Sequence, residues 1–315
     1  MKSRPLLLLP ALLLWLAAAP AAALDTGELA ALRERALSLV NEARQVEGLA
    51  PLEAGDSLAA AAQKHAEDMA LRDYYAHASP EGETVRDRFR TEGGSDWQLV
   101  AENIATCRRC EPPPDETRVQ AFHEGWMDSP PHRENILAPG LTRFGFGIAG
   151  TERQTYAVQT FAGPGQPRGL AAGEAAEPLP AAALAEVALA TVNRAREREG
   201  VAALEGSAAL DQAARRLLPE DAESTALTRP TDDLFSLLPE QAAGRWQGLE
   251  VLAAACGGCG TEPTAADVRS FVEQWLDDPQ YRSRLLEPAA AHLGFALRAH
   301  GSGRKAAVAL VGHPR

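Results

Sequence analysis

Residues 124–137 read EGWMDSPPHRENIL and join the end of one predicted helix to the start of another. Ser129 suits the N-cap position of the second helix, because its side-chain oxygen can accept a hydrogen bond from a free backbone N–H. Proline at the first helical positions has no N–H to lose, so Pro130 and Pro131 fit the same start. The sequence therefore predicts a short helix that presents His132 on its first turn.

Three further stretches surround this segment. Upstream lie residues 75–82, YAHASPEG, and residues 101–105, AENIA. Downstream, residues 144–149 and 156–162 read FGFGIA and YAVQTFA. Their apolar and aromatic content, with a polar connection between them, predicts two strands of a hairpin.

Taken in this order, these pieces resemble the bacterial branch of the CAP superfamily, also called the SCP-like extracellular domain. The matching pieces are a His-x-Ser-Pro-x-Gly loop, a Glu-Asn-Ile-Ala segment, a Trp-x-x-Ser-Pro-x-His-Arg-x-Asn-Ile-Leu run and a closing Tyr-x-x-Gln-x-Phe strand. The resemblance implies an α/β (α+β) fold of the CAP/SCP type. In that fold an antiparallel sheet lies between helices as an α-β-α sandwich.

The resemblance also implies a polar cavity. CAP domains gather two histidines and two acidic residues in one cavity, which in several members holds a divalent metal. Carried over position by position, His77 and His132 are the two histidines and the expected metal ligands. Glu102 matches the glutamate of the Glu-Asn segment.

The second acidic residue of the cavity is open. The eukaryotic branch carries it where this chain has Ser129, and the acidic alternatives here are Glu124 and Asp128. Glu124 is preferred, because Asp128 beside Ser129 could equally serve as a helix cap. The predicted cavity residues are His77, Glu102, Glu124 and His132.

Two imidazoles and a carboxylate can hold a divalent ion, zinc for preference, with an open position for water. A spare glutamate, Glu102 or Glu124, could then act as general base, which would make the protein a metal-dependent hydrolase acting on peptides. Alternatively, the four groups satisfy one another by hydrogen bonds and only shape a cleft. No nucleophile accompanies them, so the pattern leaves catalysis open. The main interpretation is a protein that binds a metal and a small-molecule, peptide or lipid ligand.

The N-terminus predicts export. Lys2 and Arg4 precede an apolar run at residues 6–16, and small residues at 21–23 form a cleavage pattern, so residues 1–23 are interpreted as a signal peptide. The protein is therefore expected in the periplasm or outside the cell, without a later membrane span. A net charge of -12 and no basic face argue against nucleic acid as a partner. A non-catalytic scaffold for an envelope partner is the third hypothesis.

The second half of the chain repeats pieces of the first half at a nearly constant distance. Residues 40–44, VNEAR, recur as residues 192–196, VNRAR, and the Cys-x-x-Cys pair at 107–110 recurs at 256–259. Such matches in constant order indicate an internal duplication. The predicted layout is a CAP/SCP-like domain at 24–162, a Gly/Pro-rich linker at 163–182 and a degenerate CAP/SCP-like domain at 183–315.

The second half keeps large aromatic residues and loses the polar ones. Where the first half has Glu102 and His132, the second has Val251 and Tyr281. Four tryptophans pair across the halves and are interpreted as core anchors: Trp97, Trp126, Trp246 and Trp275. We therefore expect the polar cavity in the first half alone.

The four cysteines form two Cys-x-x-Cys pairs, Cys107 with Cys110 and Cys256 with Cys259. In an exported protein each pair most simply makes a local disulfide that braces a turn. A zinc site built from both pairs and a redox-active dithiol are the alternatives.

Overall fold

The computed structural model of the protein describes residues 24–110, 112–151, 153–221, 223–224 and 234–315. The predicted signal peptide at residues 1–23 lies outside them. None of the helices in these ranges is long and apolar enough to cross a bilayer. The elements of the first half are α1 (Thr26–Val46), β1 (Glu53–Ala54), α2 (Asp56–Arg72), α3 (Val85–Thr91), β2 (Leu99–Arg108), α4 (Glu116–Asp128), α5 (Pro130–Leu137), β3 (Arg143–Gly150) and β4 (Gln154–Gly163).

Local sequence signals fix the ends of α1. Asp25 and Glu28 form a capping box, in which each side chain accepts a hydrogen bond from the backbone of the other. The helix ends at Val46, and Gly48 follows with a φ of 71°. Glycine adopts this left-handed conformation without the steric cost that a Cβ would bring.

The first half forms a three-layer sandwich. Its sheet has the strand order β1-β3-β4-β2, and β2 and β3 both run antiparallel to β4. The apolar faces of α1, α4 and α5 pack on one side of the sheet, and α2 and α3 pack on the other. The predicted hairpin and the predicted α-β-α arrangement are confirmed.

A second sheet follows, with the strand order β5-β7-β8-β6, which is the order of the first sheet repeated. The elements of this half are α6 (Ala181–Arg198), β5 (Glu205–Gly206), α7 (Ala208–Leu217), a 3-10 helix (Leu234–Leu237), α8 (Glu240–Ala243), β6 (Trp246–Cys256), α9 (Ala265–Asp277), α10 (Pro279–Leu285), β7 (His292–Ala299) and β8 (Lys305–Pro314).

The two halves also repeat a buried arginine. Arg44 in α1 donates hydrogen bonds to the carbonyl oxygens of Ala50 and Ile136, at 2.9 Å each. Arg196 in α6 donates to Ala202 at 2.6 Å and to Leu285 at 2.7 Å. Each arginine thus ties the first helix of its half to the loop after that helix and to the short helix before the hairpin.

The β-register assigns Val251 the place that Glu102 has in the first sheet. Glu102 pairs with Thr160, which also pairs with Gly145; Val251 pairs with Leu310, which pairs with Gly294. That the second half is a degenerate copy of the first stays a prediction, which these repeated contacts support.

The predicted linker lies against the second half of the chain. Its Leu179 N–H donates to the Pro263 carbonyl at 2.9 Å, and Glu174 pairs with Arg269 at 2.6 Å. Three of the paired tryptophans are core anchors as predicted, being at most 3 % exposed: Trp126, Trp246 and Trp275. Trp97 is the exception, because it is only partly buried and contacts the second half of the chain.

Candidate functional site

Glu102 lies at the centre of the candidate site. It sits on β2, an edge strand, and is 6 % exposed. Its side chain lies on the α2/α3 side of the sheet, the side on which its paired residue Thr160 donates to the Leu58 carbonyl of α2. One carboxylate oxygen accepts a hydrogen bond from Arg88 at 2.7 Å, and the other lies 2.9 Å from Nδ1 of His77. Both oxygens are therefore engaged.

Arg88 in α3 connects the site to the loop that carries His77. Besides Glu102, its guanidinium donates to the carbonyl oxygens of His77 and Glu83, each at 3.0 Å. It is 5 % exposed, so its positive charge and the Glu102 carboxylate share a buried environment. Sequence reasoning missed Arg88, which lies in none of the motifs that carry the family resemblance.

The His77 imidazole has a defined orientation. A carboxylate oxygen can only accept hydrogen bonds, so in the neutral form of the ring the contact with Glu102 places the proton on Nδ1 and leaves the lone pair on Nε2. Among the described residues, Nε2 has no protein hydrogen-bond partner, and the side chain is 58 % exposed. The free nitrogen of His77 is thus available to solvent or to a ligand.

The backbone beside His77 is held from two sides. The buried His65 ring contacts the Ala76 carbonyl at 3.0 Å through Nε2, and the Tyr75 hydroxyl donates to the Ile104 carbonyl at 3.0 Å. Burial lowers the pKa of His65 below its ordinary value, so this ring is neutral and donates to the carbonyl. The loop is therefore fixed before any ligand binds.

His132 lies on the first turn of α5, as predicted, but Ser129 plays a different part from the one expected. The structure shows no side-chain cap from Ser129 to the helix backbone. Its hydroxyl instead lies 2.8 Å from Nδ1 of His132. Burial lowers the pKa of His132, and a smaller electrostatic contribution from His77 acts in the same direction.

A network of amides anchors α5 to the sheet. Asn135 donates to the carbonyl of Glu102 at 3.1 Å and to the side chain of Asn103 at 2.9 Å. Asn103 donates in turn to Gln159 on β4 and to the His132 carbonyl, each at 3.1 Å. This network fixes the position of His132 relative to Glu102 across the edge of the sheet.

The structure does not bring either acidic alternative to this site. Glu124 is exposed on α4 and accepts a hydrogen bond of 3.0 Å from Gln120 of the same helix. Asp128 is exposed as well. Trp126 of α4 is buried against the opposite side of the sheet from the Glu102 side chain, and residues two positions away from it point away from the sheet.

The residues at this site do not supply the number of ligands found in the common protein zinc centres. Within the described residues no group of three or more His, Cys, Asp or Glu side chains is arranged to hold a metal ion. The site therefore lacks the three protein ligands of a catalytic zinc centre and the four of a structural one. An ion bound by His77 and His132 alone would have most of its coordination positions open to water or ligand atoms.

The cysteines pair within each turn, Cys107 with Cys110 and Cys256 with Cys259. This is the first of the three predicted arrangements. Apart from the histidine site, a cavity of about 430 Å³ lies at the start of α2. Phe89, Arg143 and residues 93–95 contribute to its lining.

Residues 37–161 match the sequence model of CAP, the Cysteine-rich secretory protein family. The chain is 34 % identical over 117 residues to the uncharacterized protein YkwD of Bacillus subtilis (strain 168), a match that covers 37 % of this chain and 42 % of that protein. It is 35 % identical over 112 residues to the uncharacterized membrane protein YlbC of the same organism, covering 36 % of this chain and 30 % of that protein. The chain thus spans less than half the length of either relative.

Among solved structures, the chain is similar to an extracellular protein containing a SCP domain from Bacillus anthracis str. Ames. The sequence identity is 28 %, and the match covers 42 % of this chain and 40 % of that chain with a TM-score of 0.35.

Proposed function

We propose that the CAP domain formed by residues 37–161 is a binding module, in which Nε2 of His77 and Nε2 of His132 hold a divalent metal ion, zinc for preference. The observation that carries the proposal is the buried Glu102 carboxylate, which bonds Nδ1 of His77 at 2.9 Å. A carboxylate behind a histidine is the usual support of a metal-ligating imidazole, since it fixes the tautomer and raises the basicity of the other nitrogen. Ser129 provides a hydroxyl behind His132 in the same position.

The same geometry favours binding over hydrolysis. A general base needs a free carboxylate oxygen within hydrogen-bond reach of the proton that it removes. Arg88 engages one oxygen of Glu102 and His77 the other, while Glu124 is exposed on a helix of the opposite layer. In this proposal Glu102 therefore positions His77 and does not act as a base.

Two histidines leave most of the coordination sphere of a zinc ion open. A carboxylate or amide group of a peptide or other small ligand would complete that sphere beside the exposed face of His77. We further propose that the protein works after export, in the envelope or outside the cell. The signal-peptide pattern of residues 1–23 and the two Cys-x-x-Cys disulfides support this location.

Isothermal titration of the purified protein with zinc chloride at pH 7.5 tests the proposal. We expect one binding event in the unaltered protein and a loss of at least tenfold in affinity in both His77→Ala and His132→Ala. His313→Ala is the matched control, because His313 lies in the second half and pairs with Glu250 at 3.5 Å. The absence of binding, or unchanged affinity in both site variants, would disprove the metal site.

A further inference from the structure

The first half of the chain contacts the second at a Cys-Gly-Gly-Cys turn. Residues 95–99, here called the Trp97 segment, lie against residues 256–259. The Gly258 N–H donates to the Trp97 carbonyl at 2.6 Å. A Cβ at Gly257 would lie 2.9 Å from the same carbonyl oxygen, and one at Gly258 would lie 3.2 Å from Cβ of Leu99. The backbone of the turn lies directly against the Trp97 segment, which leaves no room for a side chain and explains why both middle positions of the turn are glycine.

The second half holds the Trp97 segment from other directions as well. The guanidinium of Arg304 lies over the Trp97 ring, 4.6 Å from its centre, which is a favourable cation–π distance. Glu223 accepts a hydrogen bond of 3.0 Å from the Ser95 hydroxyl, and its carbonyl accepts one of 3.4 Å from the indole N–H of Trp97. These contacts account for the partial burial of Trp97, whose repeat counterpart Trp246 is instead a core residue.

The Cys256–Cys259 disulfide forms the base of the turn that contacts the Trp97 segment. Gly258 has a φ of 65°, and the ring formed by Cys256 and Cys259 restricts the turn that presents its N–H. The start of the linker covers the turn on another side, where Gly165 forms a β-bridge with Cys259. Cys256 is 7 % exposed and Cys259 fully buried, and both pack in the apolar core of the second half. The Trp97 segment and Gly165 cover the turn on its remaining sides, so a thiol in solution reaches the bond only when this packing opens.

We propose that the Cys256–Cys259 turn is a redox-dependent docking surface for the Trp97 segment. A disulfide oxidant takes two electrons and two protons from the two thiols and leaves as a dithiol, and the Cys256–Cys259 bond formed in this way shapes the turn that receives Trp97. Docking then shields the disulfide from reductants. The shielding is a kinetic effect, whereas the free energies are reciprocal: any stabilisation of docking by the disulfide equals the stabilisation of the disulfide by docking. This proposal does not depend on the metal site.

The reverse step needs a dithiol reductant. One thiolate of the reductant attacks a sulfur of the Cys256–Cys259 bond, its second thiolate resolves the mixed disulfide, and two electrons and two protons pass to the cysteines. The reductant leaves as a disulfide. The reduced turn is free to change conformation, and the Gly258 N–H is no longer held towards Trp97.

The Cys107–Cys110 disulfide of the first half serves as an internal control for the reduction of Cys256–Cys259. Cys107 and Cys110 enclose Arg108 and Arg109, which are exposed, and Cys107 itself is partly exposed. The Arg109 N–H donates to the Arg153 carbonyl of the same half. This second disulfide therefore braces a turn within the first half, and undocking of the Trp97 segment leaves its surroundings unchanged.

The test measures the reduction rates of both disulfides in one sample of the full chain, with dithiothreitol, alkylation at intervals and peptide mass spectrometry. Trp97→Ala should speed reduction of Cys256–Cys259 by roughly tenfold, as expected for losing the cation–π contact and a hydrogen bond. The Cys107–Cys110 rate should stay the same. Equal rates for Cys256–Cys259 with and without Trp97 would overturn the proposal.

A reciprocal test avoids any effect of the Trp97 substitution on folding. Cys256→Ser/Cys259→Ser should raise amide hydrogen exchange in residues 95–99 by roughly tenfold, whereas Cys107→Ser/Cys110→Ser should leave exchange in those residues as it is. Unchanged exchange in the first double variant, with the rest of the second half still protected, would show that the disulfide does not control docking.

Discussion

Arg88 donates a hydrogen bond of 2.7 Å to Glu102, and the two side chains are only 6 % and 2 % exposed. A buried ion pair gains little over an apolar pair, but removing one partner leaves the other charge uncompensated. The pair therefore holds the Glu102 side chain in place behind His77, and the first half depends on Arg88 for its stability.

Replacing Arg88 should destabilise the first half strongly. We expect Arg88→Met to lower the free energy of unfolding by about 3–5 kcal/mol, because Glu102 would lose its buried cation. Arg282→Met is the control, since Arg282 pairs with Glu199 on the surface, where both side chains are at least 43 % exposed. That variant should lose about 1 kcal/mol or less, measured by urea unfolding. Equal losses would contradict a special role for the buried pair.

Glu102→Gln should weaken zinc binding while keeping the shape of the side chain. Substitution of the group behind a ligating histidine costs about 10–100-fold in metal affinity, because the ring loses basicity and orientation. Glu124→Gln should bind zinc like the unaltered protein, since Glu124 is exposed on α4 and bonds Gln120. Titration calorimetry measures the zinc affinity of both variants. A loss in Glu124→Gln instead would restore Glu124 to the site.

Stability should fall as the pH drops below about 6.5, the ordinary pKa of histidine. Burial lowers the pKa of four histidines in the folded protein, so the unfolded chain binds more protons in this range: His65, His123, His132 and His300. The free energy of unfolding therefore rises with pH until these histidines are neutral in the unfolded chain. Urea unfolding at intervals between pH 5 and 7.5 should show a shallower slope for His65→Gln. An unaltered slope would rule out His65 as a source.

Gly145→Ala should be strongly destabilising. Its Cβ would collide with the backbone of Leu58 and Ala59, where α2 packs on the sheet next to Glu102. Overpacking of this kind costs about 1–3 kcal/mol or more, since neither backbone can move without shifting its element. Gly125→Ala is the opposite case, because nothing lies within 4 Å of its Cβ on α4. That variant should gain about 1 kcal/mol in the same unfolding experiment.

Much of the first half follows from its sequence. The pieces around His77, Glu102 and His132 resemble the CAP family, and it is this resemblance that implies the sandwich and a shared cavity for the three residues. Helix geometry could also have excluded Glu124. At 3.6 residues per turn, a residue two positions before the buried Trp126 lies on the far side of the helix.

Other features depend on contacts that no local pattern carries. Arg88 lies in a short helix without a motif, and its meeting with Glu102 is set by how α3 packs on β2. The use of Ser129 by His132, in place of the helix backbone, follows from rotamers that the sequence does not specify. The contact of Trp97 with the Cys256–Cys259 turn joins segments distant in the sequence, so no local pattern predicts it. The two glycines of that turn do indicate a close approach of another segment.

The most direct measurement of the central claim is a zinc titration followed by nitrogen-15 NMR of the histidine side chains. We predict that the Nε2 resonances of His77 and His132 shift together at the same zinc concentration. The Nδ1 resonance of His77 should keep the signature of a protonated nitrogen bonded to Glu102. Zinc-dependent shifts at Nδ1, at one histidine alone or at neither would contradict the two-imidazole site.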